Sequence, residues 1–173
     1  MAIFQLVKNN NLLLTIPLLG VSEDADREQI KNDLIETMKN FSGVGLSASQ
    51  IGIMERVFVM YGNFDKREAV VCFDPKITHE SEEQEFMDEG CLSYPGLWLK
   101  IERPIWVEVE YENENGEQIE NKFRGIEARV FQHEYDHMEG MDFTQKVSKL
   151  RLDMAKKRQK KQLKKSLDFS KTS

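Results

Sequence analysis

Residues 105–138 read IWVEVEYENENGEQIENKFRGIEARVFQHEYDHM and join two periodicities back to back. From Ile105 to Tyr111 the side chains alternate as Ile, Trp, Val, Glu, Val, Glu, Tyr, the period of a strand with one buried face. Asn115-Gly116 is a hairpin signal, and Gln118–Arg124 is the returning strand. From Gly125 the period changes. Ile126, Val130, Phe131 and Tyr135 or Met138 recur at helical spacing, so a long helix follows the hairpin directly.

Upstream, a first helix is expected from an N-cap at Ser22 or Asp24 to near Asn40, with Ile30, Leu34, Ile35 and Met38 on its buried side. Residues before it look extended and irregular. Strand signals follow at Val57–Tyr61 and Val70–Phe73, then a polar–apolar region through Phe86. Two helices separated by an antiparallel strand block define an α+β fold, not α/β. The expectation is one domain, with antiparallel sheets around the second helix. Beyond it, residues 147–167 form a basic helix whose apolar face (Val147, Leu150, Met154) docks only over its first half.

A chain of 173 residues and 20.2 kDa has room for one core of ordinary size. Hydrophobic residues make up 40% and charged ones 31%, and the two cysteines, Cys72 and Cys91, suggest no disulfide framework. Collagen, coiled-coil fibre, transmembrane protein and disulfide-stapled module are excluded on those grounds. The run from Leu12 to Leu19 loosely resembles a secretory signal. Thr15 and Pro17 interrupt it, no clear cleavage site follows, and it is too short to span a bilayer. The expected compartment is the cytoplasm of a bacterium, including one infected by a virus, or an organelle of bacterial descent. The net charge of −6 conceals a split: residues 1–145 carry 13 basic and 28 acidic side chains, whereas residues 146–173 carry 11 and 2. An acidic body of −15 with a tail of +9 points the tail at something anionic.

The pentad His133-Glu134-Tyr135-Asp136-His137 is an H-E-x-x-H on the second helix. Histidines four apart stack on one helical face and can reach one metal ion, with the Glu beside them to take a proton from water. In metzincin-type proteases a third His follows six residues later, but here that position is Phe143. A thermolysin-type Glu on a later helix is also missing. Glu139 and Asp142 lie too close, and Asp153 and Asp168 fall in the basic tail. Cys91, in Glu89-Gly90-Cys91-Leu92-Ser93, fills the gap: thiolate plus two imidazoles leaves an open tetrahedral position. Read alone, a lone Cys beside Gly is more often a small buried residue. The third element is Gly43-Val44-Gly45-Leu46-Ser47-Ala48-Ser49-Gln50-Ile51-Gly52. It matches a loose dinucleotide fingerprint, but follows a helix instead of a strand. It reads better as backbone exposed near a ligand, with Gln50 as an uncharged donor.

Taken together and in this order, the three segments closely resemble the peptide deformylases, which carry G-x-G-x-A/S-A-x-Q-x-G, E-G-C-L-S and H-E-x-x-H. Ser47 stands where Ala is frequent, and the resemblance runs from about Ser22 to Phe143. It implies that Cys91, His133 and His137 are metal ligands and that Glu134 is the general acid/base. Gln50 and the Leu92 N–H would be oxyanion donors. Val44, Gly45 and Gly90 would pair with the substrate backbone, and Val130 would line the methionine pocket. It further implies a catalytic domain over residues 1–145 followed by the Lys-rich tail, and hydrolysis of N-formylmethionyl nascent chains with release of formate. The metal would be Fe²⁺, with Zn²⁺, Ni²⁺ or Co²⁺ able to substitute. A monomer is expected, with no membrane association. The Lys-rich tail has two readings: a solvated helix that keeps an acidic protein soluble, which is preferred, and a contact with ribosomal RNA near the nascent-chain exit.

Other residues receive plainer readings. Cys72 is core and His79 is solvated surface, while Trp98 and Trp106 either line a site or, the preferred reading, pack in the core or sheet. Arg124 and Arg129 pair with nearby acids. Asp136 either orients a ligand histidine or is an exposed helix carboxylate, and Glu89 either bonds around the metal site or does not. Two other functions fit the motifs: an amide hydrolase for another N-acyl group, and a ribosome- or RNA-binding protein with a structural metal.

Overall fold

The computed structural model describes residues 3–170, the last five by backbone alone. Seven strands form two antiparallel sheets. The larger has the order β1 (Gly45–Ser47), β2 (Val57–Asn63), β3 (Glu68–Glu80), β6 (Trp106–Glu112), β7 (Gln118–Arg124). The smaller is a hairpin of β4 (Gln84–Cys91) and β5 (Tyr94–Pro104).

Period-2 alternation in the large sheet sorts its side chains to two helices. Phe58, Met60, Cys72, Val107 and Val109 pack with Ala128, Phe131 and Met138 of α2 (Gly125–Met138). Val57, Val59, Val71 and Phe73 point the other way, onto Ile30, Leu34 and Met38 of α1 (Arg27–Asn40). Cys72 is thus core, as expected. The cap of α1 is Asp26, whose side chain accepts from the Gln29 N–H, and neither Ser22 nor Asp24 serves. Ile35 lies at the margin of the buried stripe rather than within it.

The predicted hairpin is present, with Glu112 opposite Gln118. Its loop spans residues 113–117, organised by the Asn113 carboxamide, which accepts from the Asn115 and Glu117 N–H groups. Strand β5 has no counterpart among the sequence expectations. Its Leu97, Leu99 and Ile101 form a third cluster with Phe143 and Ala155.

Helix α3 (Lys149–Ser170) docks on that cluster. Val147, Leu152 and Ala155 make the contact, whereas Leu150 is 70% exposed and Met154 52%. The docking face expected from Leu150 and Met154 is therefore turned by nearly half a turn. Small Ala155 allows a closer approach to β5 than Leu150 or Met154 would. Among the described residues, no helix is long and apolar enough to cross a membrane.

Candidate metal centre

Helix α2 presents Val130, His133 and His137 along one stripe, as i, i+3, i+7 spacing requires. Strand β4 brings Cys91 to them. The β4–β5 ladder shifts register between Gly90 and Cys91, a bulge that aims the thiol at the helix. Cys91 Sγ lies 3.5 Å from His137 Nε2. The ligand atoms of Cys91, His133 and His137 all fall within 4.8 Å of one another.

His133 Nδ1 bonds Glu89 Oε2 at 3.0 Å, which leaves Nε2 facing the site. Glu89 also accepts from Arg103, Nε at 2.6 Å and Nη2 at 3.0 Å, and from Arg129 Nη1 at 2.9 Å. Arg103 Nη1 reaches Asp136 at 2.8 Å, and Lys146 Nζ lies 3.2 Å from the same carboxylate. Asp136 is therefore neither an exposed carboxylate nor a direct partner of a ligand histidine. It anchors Arg103. Burial works against ionisation of Glu89, but hydrogen bonds from His133 and Arg103 hold its carboxyl far below the usual carboxylate range.

Gln50 is almost wholly buried and held at both ends. Its Oε1 accepts from the Ser47 N–H at 2.9 Å and the Ser47 hydroxyl at 3.0 Å. Two donors on the oxygen fix which way the amide faces, so Nε2 points to Cys91 Sγ at 3.4 Å and Ser93 Oγ at 3.1 Å.

Glu134 is buried, and its Oε2 has no hydrogen-bond partner in the protein. Burial pushes its carboxyl up to about 7, against the charge of His133 and a bond from Ser47. His137 Nδ1 is likewise unpartnered, and burial followed by repulsion from His133 and Arg103 pushes that ring down to about 3, keeping it neutral. A half-buried thiol, two converging buried imidazoles and a carboxylate oxygen with nothing to bind fit a thiophilic divalent cation and a water beside it. The site is a Cys/His/His metal centre.

A cleft of about 610 Å³ opens from these residues. Val44, Gly45, Gln50, Gly90, Leu92 and Val130 line it, with Cys91, His133 and Glu134 at its base. The three separate sequence segments thus converge. Gly45 is required by close approach: a Cβ there would stand 2.5 Å from Glu134 Oε1 and 2.8 Å from Val130 Cγ1. Strand β1, which starts at Gly45 directly after Val44, is the edge of the large sheet and pairs with β2 on one side. Trp98, expected in the core or sheet, is 61% exposed and lines the same cleft. Trp106 lies in β6 beneath the Lys122 ammonium, 3.7 Å from the ring centroid, and His79 is solvated near Glu108.

The sequence reading missed Arg103 and the Ser47 clamp. Arg103 had a signal. Leu97, Leu99 and Ile101 set a buried parity that position 103 continues, so a charged residue there must be paired.

Comparison with known proteins gives one consistent result. The family model described as polypeptide deformylase matches residues 3–153. A peptide deformylase of Thermotoga neapolitana is 42% identical over 126 residues, which is 72% of this chain and 74% of that one. The crystal structure of a peptide deformylase from Legionella pneumophila superposes with a TM-score of 0.85 at 31% identity, covering 96% of this chain and 98% of the other. One from Synechococcus elongatus, in complex with actinonin, gives 0.83 at 34% identity, covering 90% and 85%.

Proposed function

The chain belongs to the polypeptide deformylase family, and from this premise we propose how its residues divide the work of a metallohydrolase that deformylates peptides. The substrate is the N-formylmethionine end of a nascent chain. Cys91, His133 and His137 hold the cation, which when bound supplies Lewis acidity toward water and the formyl oxygen. Fe²⁺ is the metal in the cell, a reading that rests on the family; the mixed thiolate–imidazole donor set suits Fe²⁺, Zn²⁺, Ni²⁺ or Co²⁺ alike.

Glu134 takes a proton from water as the oxygen attacks the formyl carbon. It then delivers that proton to the departing amine. Its unpartnered Oε2 and its raised affinity for a proton suit both directions of transfer near neutral pH. The Gln50 amide, held by Ser47, and the Leu92 N–H donate to the oxygen on which charge develops. Val44 and Gly45 offer the free edge of β1 to the peptide backbone, with Gly90 on the facing wall and Val130 against the methionine side chain. The protein works as a monomer in the cytoplasm, and the basic face of α3 contacts ribosomal RNA. The +9 charge of residues 146–173 supports that contact.

The observation that carries the chemistry is a buried carboxylate oxygen with no partner beside three converging metal ligands. The test is formate release from a formyl-methionyl peptide by protein purified without oxygen and loaded with Fe²⁺, beside Glu134→Ala. Release by the intact protein and a fall of at least about 100-fold in the variant are expected. Equal rates in the two would overturn the assignment of Glu134.

A further inference from the structure

The turn between β4 and β5 carries one of the donors assigned to the formyl oxygen. Cys91 pairs with Tyr94 across the ladder, so Leu92 and Ser93 alone make the turn. Two-residue hairpin turns that match the twist of their strands need a positive φ at the first residue or at both. Neither Leu92 nor Ser93 has one. The turn therefore takes its shape from what its side chains hold.

Leu92 packs its side chain onto the α1 cluster, and three hydrogen-bonding neighbours do the rest. Cys91 Sγ is 3.4 Å from the Gln50 amide and 3.5 Å from His137. Ser93 is buried, and its hydroxyl accepts from that same amide at 3.1 Å. Both anchors lead back into the metal centre. Tyr94 reaches outside it: its hydroxyl donates to Asp142 Oδ2 at 2.5 Å, with the Asn9 carbonyl a longer alternative at 3.4 Å. Asp142 is itself fixed. It caps the 3-10 turn Phe143–Lys146, and its Oδ1 accepts from the Thr144 N–H at 2.8 Å and from the Thr144 hydroxyl. The Tyr94 ring stands edge-on to Phe143, centroids 5.4 Å apart, and Phe143 lies 5.6 Å from the His133 ring.

We propose that the Tyr94 hydroxyl is a positioning group for the oxyanion donors. Its bond to Asp142 ties the Leu92–Ser93 turn to the segment that follows the metal-ligand helix. The Leu92 N–H then keeps a fixed place relative to the metal ligands, and Ser93 keeps the Gln50 amide beside it. Tyr94 acts through its neighbours in the turn, not on the reacting atoms. The tether rests on the reading that Leu92 and Gln50 meet the charge on the formyl oxygen. A slightly displaced donor still admits substrate but loses part of its hold on an oxyanion that forms only in the transition state.

Tyr94→Phe removes the hydroxyl and leaves the ring on Phe143, so the packing beside His133 is kept. The assay is formate release from a formyl-methionyl peptide by the full chain loaded with Fe²⁺. In the variant kcat should fall about five- to twentyfold, a fraction of the loss when an oxyanion donor is deleted, with KM and metal affinity within about twofold of wild type. Asp142→Ala should also lower kcat, and the double variant should fall no further than the lower single, because both remove one bond. Additive losses, or a kcat within about twofold of wild type in Tyr94→Phe, overturn the tether. A parallel loss of metal affinity in Tyr94→Phe puts the effect on the ligands and overturns it equally.

A second readout does not need catalysis. In the Zn²⁺-loaded protein, the backbone order parameters of Leu92 and Ser93 should fall from the rigid value of about 0.85 to about 0.7 or below in Tyr94→Phe, with the α2 amides unchanged. Where the wild type releases formate, the kinetic loss and the loosened turn must appear together, and either alone overturns the proposal while the deformylase reading stands. Where it releases none, a loosened turn still shows the tether, and the deformylase reading fails alone. An unchanged turn overturns the tether with or without activity.

Discussion

Glu89→Gln is the substitution that most directly tests how the metal centre is held. Every hydrogen-bond partner of the Glu89 carboxylate is a donor: Arg103 twice, Arg129, and the His133 ring. The amide keeps the shape but loses the charge, and turns an NH₂ toward one of those donors. Arg103 then keeps only Asp136 among carboxylates, and Arg129 keeps only the Ile101 and Glu85 carbonyls. Breaking a buried ion pair from one side costs about 3–5 kcal/mol. For a chain of this size that is a fall of about 10 °C in Tm. His133 also loses the anion that orients it, which should weaken metal binding by about 10–100-fold. Thermal unfolding of metal-free protein measures the first effect, and competition with a chromophoric chelator measures the second.

The pH dependence has a definite sign. Because Glu89 ionises far below the ordinary range in the folded state, its contribution is fully present above the unfolded carboxyl value of about 4.3 and is lost as pH falls toward the folded one. The stability gap between wild type and Glu89→Gln should therefore be flat from neutrality to about pH 5 and narrow in more acidic solution. A variant melting within 2 °C of wild type and binding metal within threefold (~0.7 kcal/mol) would refute the role given to the network.

Four further outcomes are expected. Gly45→Ala forces a methyl against Val130 and Glu134, so kcat should fall about 10–100-fold for a stability loss of about 1–3 kcal/mol in urea unfolding. Ser47→Ala removes one of the two bonds on Gln50 Oε1, and steady-state kinetics should show about a fivefold lower kcat with KM little changed. Ala155→Asp places a charge in the Leu97–Leu99–Ile101 cluster and should speed amide exchange along α3 with α2 still protected, whereas exposed Leu150→Ser should shift stability by less than about 0.5 kcal/mol. Chelation should lower Tm and metal return should restore it, by about 2.7 kcal/mol when free metal is 100 times Kd.

Much of this was legible before any coordinates. The alternation at residues 105–111 and the helical spacing after Gly125 gave β6, β7 and α2 within a residue. The spacing of His133 and His137 needs only helix geometry to bring the rings together. What stayed hidden depends on contacts between distant segments. Strand β5 was obscured because Trp98 occupies an outward position, so Tyr94 to Leu99 looks continuously apolar instead of alternating. The face of α3 was misjudged because apolar size was weighed and closeness of approach was not: the buried residue is Ala155. Ser47 reads as an ordinary small residue in a loop. Its hold on Gln50 follows from the 3-10 turn Ala48–Ile51, which returns the side chain of Gln50 to the residue preceding the turn.

The second sheet has a physical reason that the motif alone does not give. Ten of the 14 residues of α2 are buried, and six of those ten are polar or charged. A helix so placed against the large sheet alone would leave Arg129 and His133 without partners, Asp136 with Lys146 alone and Gln132 with only the Ala128 carbonyl of its own helix, at a cost that would unfold it. The β4–β5 hairpin supplies those partners: Glu89 for Arg129 and His133, Arg103 for Asp136, and the Pro104 carbonyl for Gln132. It also supplies Cys91. The strand that completes the metal ligands is therefore the strand that makes burial of the histidine helix tolerable. Any change that loosens the hairpin acts on folding and on the metal together, whereas a change on the Phe131 side of α2 acts on folding first.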